Sequence, residues 1–264
     1  MQTWRLLKLK TQNAAMNMAI DEAILTARTI NRVPDTFRLY QWKPSTVSIG
    51  RNQKVENEVQ LNNCHTLGVD VIRRISGGGT VYHDEKGEVT YSLITNSNDL
   101  GVRNITDVYR TIYEGIRDSL RILGLTADFN EGDAKNCPNL TVNGKKISGS
   151  SQANKRETVL QHGTLLLDVD LEKMFTLLHV PWANSCMEVV NVAKNKITSI
   201  KDELHHSVHP ETVANALTKG FQNALHIQML EDALSSFELD LAKKLYSDKY
   251  ATNDWNLYGK SILG

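Results

Sequence analysis

The dipeptide Asn143-Gly144, set between "NLTV" and "KKISGS", constrains this chain more tightly than any other feature. A two-residue type I′ turn needs positive φ at both central positions. Asparagine and glycine tolerate that conformation best, so the flanking segments are predicted to fold back as a hairpin. The register pairs Val142 with Lys145, Thr141 with Lys146 and Leu140 with Ile147. Alternation along each strand then places Leu140 and Ile147 on one face, and Lys146 on the other with Asn139, Thr141 and Ser148.

Around this hairpin, helical and extended patterns alternate without a repeat or a low-complexity linker. Residues 13–28 predict a helix with Asn13 as N-cap and Met16, Ile20, Ala23, Ile24 and Ala27 at helical spacing. "TFRLYQW" and "STVSIG" alternate like strands about Pro44. Ile105, Val108, Tyr109, Ile112, Ile116, Leu120 and Leu123 trace the apolar face of a long helix that Gly124 ends. "ETVLQHGTLLLDVDL" reads as a strand interrupted by Gly163. The last third is helical, with Val213, Leu217, Phe221 and Leu225 on one stripe and a capping box at Ser235 and Glu238. Hairpins mixed with helices predict an α+β fold: a mixed, largely antiparallel sheet flanked by helices, in one domain over residues 1–264.

Lys+Arg and Asp+Glu both number 30, so net charge is zero and the excess of positive charge that drives nucleic-acid binding is missing. No apolar run approaches the roughly 18 to 20 residues of a membrane span, and the N-terminus lacks a signal-peptide core, which predicts a cytoplasmic protein. Cys64, Cys137 and Cys186 are widely spaced and odd in number, which suits neither a disulfide framework nor a zinc site.

Chemistry concentrates in "VIRRISGGGTVYHDEKGEVTYSLI", residues 71–94. A glycine triplet marks a sharp bend or a close approach of backbone to ligand, and the adjacent Arg73 and Arg74 suggest that the ligand is anionic. The stretch is not a P-loop, since no Gly-Lys-Ser/Thr follows; its plain alternative is a glycine-rich turn with surface arginines. His83-Asp84 reads as structural, and His205, His206 and His209 as a solvated loop. Taken singly, Lys146 would be a solvent-facing lysine and His162 a satisfied core histidine. If the extended register continues past Pro138, Cys137 faces the same way as Lys146, which keeps thiol chemistry open.

Together "NMAIDEAI", "STVSIGRNQ", "RRISGGGTVYHD", "LTVNGKKISGSSQ", "LQHGTLLL" and "DWNLYG" resemble, in order, the lipoate-protein ligase family within the larger group of biotin and lipoate ligases. The resemblance implies a biotin/lipoate ligase-like catalytic domain that activates lipoate or octanoate with MgATP, releases pyrophosphate and acylates a lysine of a lipoyl-domain carrier. Such carriers are 2-oxoacid dehydrogenase E2 subunits or proteins like the glycine cleavage H protein. It further implies that Arg74, Gly79, Thr80, Val81 and Tyr82 contact nucleotide, with Arg73, Gly77, Gly78 and His83 beside them. Lys146 would bridge carboxylate and α-phosphate, Arg73, His162 and Gly163 would join it around lipoate, and Asn139 would stand near magnesium. Where family ligases carry Arg-Asn-Asp-Leu, this chain has Cys137, Pro138, Asn139 and Leu140, so the expected metal contact is a neutral amide. Five residues after "DWNLYG" leave no accessory domain, and the resemblance therefore implies a separate small accessory protein, as in two-component ligases. The alternative within the same group is an octanoyltransferase that carries the acyl group on Cys137, although Cys137 lies only nine residues before Lys146, which is short for that branch. On these motifs the expected activity is the ATP-dependent ligase.

Overall fold

The computed structural model of the chain describes residues 1–102, 104–132 and 137–260. Strand β1 (Gln2–Gln12) leads into helix α1 (Ala14–Thr29), where the Asn13 side chain accepts from the Met16 amide as the predicted N-cap. Strands β2 (Thr36–Trp42) and β3 (Thr46–Ile49) follow, then the short helices α2 (Val55–Glu58) and α3 (Leu61–Thr66). Next come β4 (Asp70–Arg73), β5 (Val81–His83) and β6 (Glu88–Asn96). The long helix α4 (Ile105–Ile122) precedes β7 (Asp128–Asn130), β8 (Asn139–Val142), β9 (Lys145–Lys155) and β10 (Thr158–Leu166). Helices α5 (Leu171–Leu177), α6 (Cys186–Ala193), α7 (Ile200–Leu204) and α8 (Pro210–Leu225) come before β11 (Ile227–Glu231). Helices α9 (Ser236–Leu245) and α10 (Asn253–Asn256) end the described part.

Eight strands form one sheet in the order β11-β1-β2-β6-β10-β9-β8-β7, and a small sheet has the order β4-β3-β5. In the large sheet β1 runs parallel to both β2 and β11, and every other neighbouring pair is antiparallel. The fold is thus α+β around a mixed, largely antiparallel sheet, as expected. Helices α4 and α8 cover one face, where Ile112, Ile116 and Phe221 bury against Tyr91, Leu93, Leu140 and Ile147. Helices α1 and α9 cover part of the other face, over Tyr40, Trp42 and Leu160. The small sheet has its own apolar cluster, with Val47, Ile49, Tyr82 and Leu177. Strands β1 and β11 carry no turn signal linking them, because their pairing joins residues more than two hundred positions apart, Gln2 to Ile227.

The Asn143-Gly144 hairpin forms with φ of 50° and 77°, and the first two predicted pairs hold. The register then shifts: Leu140 pairs with Ser148 instead of Ile147. This β-bulge keeps Leu140 and Ile147 together in the core but moves Ser148 away from the face of Lys146. The cause is tertiary, because the Lys146 backbone also bonds the Lys196 carbonyl and the Thr198 amide, which pulls that residue toward the segment after α6. Gly163 does not interrupt β10. It stays in the ladder opposite Ser150 and Tyr91, and a Cβ there would stand 2.5 Å from the Gly149 oxygen and 2.7 Å from the Tyr91 hydroxyl.

Helices α4 and α8 approach so closely that a Cβ on Gly220 would collide with Ser119, lying 2.5 Å from its amide and 2.6 Å from the Gly115 oxygen. Gly220→Ala is therefore expected to destabilise the protein by about 2 kcal/mol, since overpacking against backbone outweighs alanine's helix preference. Urea denaturation followed by circular dichroism measures this, and an unchanged or raised midpoint would show that the two helices can separate freely.

Candidate active site

Strand β4 delivers the two arginines, and neither presents its donors to a ligand. Arg73 points back into the protein, donating to the carbonyls of Trp255 (2.9 Å), Gln53 (2.6 Å), Arg51 (3.0 Å) and Leu257 (3.1 Å). Its own carbonyl accepts from the Trp255 indole at 2.8 Å. Arg74, 5% exposed, donates to the Ser48 carbonyl and hydroxyl, to the Ser76 hydroxyl, and to the carbonyls of Gly77 (2.7 Å) and Gly79 (2.6 Å). Burial lowers its pKa to about 10. The expectation that these arginines grip an anionic substrate is corrected accordingly: Arg74 shapes the glycine loop by holding its main-chain oxygens, and Arg73 ties β4 to residues 51–53 and to the segment around Trp255. Gly78 in that loop has φ of +82°, a conformation that costs a side chain about 1 kcal/mol or more.

A cavity of about 790 Å³ lies between this loop, the small sheet and the open part of the large sheet. Gly78, Gly79, Thr80, Val81, Tyr82, His83, Lys146, His162, Gly163, Asn139 and Cys137 line it, whereas Arg73 and Gly77 do not. Sequence reasoning thus brought together most of one cavity wall. It missed a buried polar chain that ties the wall to the core. On α1, Asp21 accepts from Arg38 at 2.6 Å, from the Tyr40 hydroxyl at 3.1 Å and from His162 Nδ1 at 3.1 Å. His162 Nε2 then accepts from the Ser76 hydroxyl at 2.6 Å, and Ser76 meets Ser151 at 2.8 Å and Arg74 at 3.1 Å. From Arg74 the chain continues through Ser48 to His83 Nε2 (2.8 Å), whose Nδ1 donates to Glu88 (2.8 Å). The Trp42 ring stacks on His83 with centroids 4.2 Å apart. Asp21 within the apolar repeat of "NMAIDEAI" and Glu88 opening a strand were the available signals.

Cys137 and Lys146 both line this cavity. The Cys137 thiol is exposed, and its Sγ lies 3.7 Å from the point where a Cβ on Gly78 would stand. That same point is 3.3 Å from Arg74 Nη2 and 3.5 Å from Ser151 Cβ. Lys146 folds its side chain along its own strand, so that a Cβ on Gly149 would be 2.8 Å from Nζ. Gly149 pairs with Asn139, two residues beyond Cys137, so the bent hairpin brings lysine and thiol to one end of the cavity despite their short separation in sequence. Protein surrounds Lys146 on most sides although the cavity leaves it exposed to solvent. Burial pushes its pKa below the usual lysine value, and the neighbouring Cys137 opposes part of that shift.

The donor set does not suit magnesium. A hard dication takes carboxylate and other oxygen ligands, but among the described residues the cavity lining includes no Asp or Glu, and the Asn139 amide donates to the Cys137 carbonyl at 3.4 Å. Asn139 holds the Cys137 segment instead. Thr80 bonds Gln53 and Glu58, both at 3.2 Å, at the edge of the small sheet.

The family profile described as the lipoyl protein ligase A/B catalytic domain matches residues 13–222. The chain belongs to this family. It is an enzyme fold shared by ligases and transferases, and both appear among the relatives. The chain is 33% identical over 276 residues to octanoyltransferase LipM of Brevibacillus brevis, covering 97% of this chain and 99% of that protein. It is 36% identical to octanoyltransferase LipM of Kyrpidia tusciae and 32% identical to that of Bacillus subtilis, each over 97% of its length. Among solved structures it resembles the bi-partite lipoate protein ligase studied with its E2 lipoyl domain from Thermoplasma acidophilum (TM-score 0.87, 32% identity, all of both chains covered). It also resembles a lipoate-protein ligase A bound with ATP (TM-score 0.84, 32% identity, 97% of this chain and 99% of that one). The full-length relatives that bear the name octanoyltransferase overturn the expectation of an ATP-dependent ligase. No helix among the described residues is long and apolar enough to cross a membrane.

His162 gives a pH signature. Burial lowers its pKa from 6.5, more than the bond to Asp21 raises it, so the folded state prefers the neutral ring. A base with a lowered folded pKa binds fewer protons in the native state, so stability falls on acidification through about 6.5 and levels off below the folded pKa. Asp21 does not interfere, because burial would raise its carboxyl but Arg38 and His162 together hold it below 3.8. The drop in urea midpoint from about pH 7.5 to about pH 5 should be smaller in His162→Gln than in the parent protein. An equal drop in both would mean that His162 binds a proton as readily in the fold as in the unfolded chain.

Proposed function

We propose that this enzyme is an octanoyltransferase that moves an octanoyl group from a thioester-bearing acyl carrier to a lysine of a lipoyl-domain protein, holding it in between on Cys137. The observation that carries the reading is the placement of the Cys137 thiol in the same cavity as Lys146, beside a glycine loop shaped by a buried arginine. The full-length octanoyltransferase relatives support it.

In the first half-reaction the Cys137 proton passes to Lys146 and the sulfur attacks the thioester carbonyl. A new carbon–sulfur bond forms, the carrier's carbon–sulfur bond breaks, and Lys146 returns the proton to the departing thiolate. In the second, the neutral amine of the acceptor lysine attacks octanoyl-Cys137, an amide forms, and the amine's proton reaches the cysteine sulfur through Lys146. The lowered Lys146 pKa suits a group that must accept and donate in turn, since burial brings its neutral form closer to working pH. Arg74 supplies a fixed positive charge, and Lys146 a positive charge once it has taken the thiol proton, where the thiolate and the tetrahedral oxyanion develop. Val81, Leu166, Met174, Phe175, Leu178 and Ile197 give the cavity an apolar side for the acyl chain, each buried methylene contributing about 0.8 kcal/mol. Because the thioester already activates the acyl group, neither ATP nor magnesium takes part. No separate accessory protein is required to close over an adenylate.

Incubation with octanoyl-loaded carrier protein should add one octanoyl mass to the chain, located at Cys137 by peptide mapping, and Cys137→Ser should abolish both the adduct and transfer to a lipoyl domain. Lys146→Ala should slow transfer by about 10² to 10³. Retained transfer by Cys137→Ser, with octanoate and ATP as the only acyl source, would rule the thioester route out.

A further inference from the structure

Behind the cavity, on the α4 face of the sheet, a single file of hydrogen bonds runs toward the residue after Cys137. The Gln152 amide donates to Gln161 at 2.5 Å, Gln161 to the Ser150 hydroxyl at 3.0 Å, Ser150 to the Tyr113 hydroxyl at 2.9 Å, and Tyr113 to the Pro138 carbonyl at 2.9 Å. Every donor points the same way. Such a run polarises its members and strengthens the last bond, which here closes on the backbone next to the thiol. Tyr113 comes from α4, is fully buried, and its ring packs against Tyr109 (centroids 6.2 Å) and Phe129 (5.6 Å). Burial keeps the phenol protonated by raising its pKa well above 10, so it remains a donor at any working pH.

No step of the reaction uses Tyr113. Yet two side chains hold the carbonyls on either side of the Cys137–Pro138 bond: Asn139 bonds that of Cys137, and Tyr113 that of Pro138. Proline has no N–H of its own to anchor this segment, so its carbonyl is the group available for a tertiary hold. We propose that Tyr113 is the positioning residue for the nucleophile: its hydroxyl, aligned by Ser150 and Gln161, fixes the Cys137 segment so that the thiol stays between Arg74 and Lys146. The role of Cys137 as acyl carrier rests on the transferase reading above; the positioning of its thiol does not.

Tyr113→Phe removes only the hydroxyl and keeps the ring contacts, and two arms follow its effect. In the first, the rate of alkylation of Cys137 by iodoacetamide is measured by mass spectrometry. Loss of the anchor should lower it about three- to tenfold, the size expected for one hydrogen bond, as the thiol drifts from its two cations. In the second, the rate of octanoyl-Cys137 formation per reactive thiol should fall by a similar factor with KM for the octanoyl carrier unchanged, whereas a merely structural defect would lower the count of reactive thiols instead. An alkylation rate within twofold of the parent would overturn the positioning role, whatever happens to acyl transfer. Lowered alkylation in a protein whose parent never forms octanoyl-Cys137 would leave the positioning standing and sink the transferase reading. Should Tyr113→Phe fail to fold, Ser150→Ala breaks the file one bond earlier. It must lower alkylation too, and parent-like alkylation in that variant would refute the proposal.

Discussion

The site depends on one buried charge. Among the described residues Arg74 has no carboxylate as a hydrogen-bond partner; three carbonyl oxygens and two hydroxyls compensate it. A buried guanidinium without partners would be prohibitively unstable, so the loop through Gly77 and Gly79 and the buried arginine enforce one another. Ser76 then hands the constraint to His162 and to Asp21 on α1, while Ser48 hands it to His83 and Glu88. The glycine loop is rigid because it sits at the centre of a polar network whose every link is either charged or fully enclosed.

Upon that frame, the chemistry is decided by what the hairpin carries. The same fold serves the ATP-bound ligase that this chain resembles at a TM-score of 0.84, so architecture alone does not choose between adenylate and thioester. A thiol at Cys137, a cavity wall without carboxylates among the described residues, and Asn139 turned back onto the Cys137 carbonyl all favour covalent chemistry at sulfur. The lysine need not change place between the two uses. In the proposed transferase it would exchange an electrostatic duty for a proton-moving one.

Local rules were legible in the sequence and distant partnerships were not. The Asn143-Gly144 turn, the Asn13 cap and the Ser235 capping box depend on neighbours a few residues away, and each formed as read. The paired arginines were misjudged because a sequence displays a charge but not the carbonyls that will surround it, which for Arg73 come from residues as far off as Leu257. The bulge at Ile147 escaped notice for the same reason, since it arises where Lys146 is drawn to Lys196 and Thr198. On a straight strand the nine-residue separation of Cys137 and Lys146 would be short for both to reach one end of the cavity. A lysine bent along its strand to Gly149 removes the difficulty.

The clasp between Arg73 and α10 has a consequence for the order in which a growing chain becomes functional. Arg73 bonds Trp255 and Leu257, and Asn256 accepts from the Arg73 amide, contacts that span more than 180 residues. During synthesis the contacts of the strand that feeds the glycine loop must wait until residues 255–257 have left the ribosome. A nascent chain could assemble most of its sheet earlier, but its catalytic wall would stay unfinished. Topology alone thus makes this wall of the cavity one of the last parts of the fold to be finished.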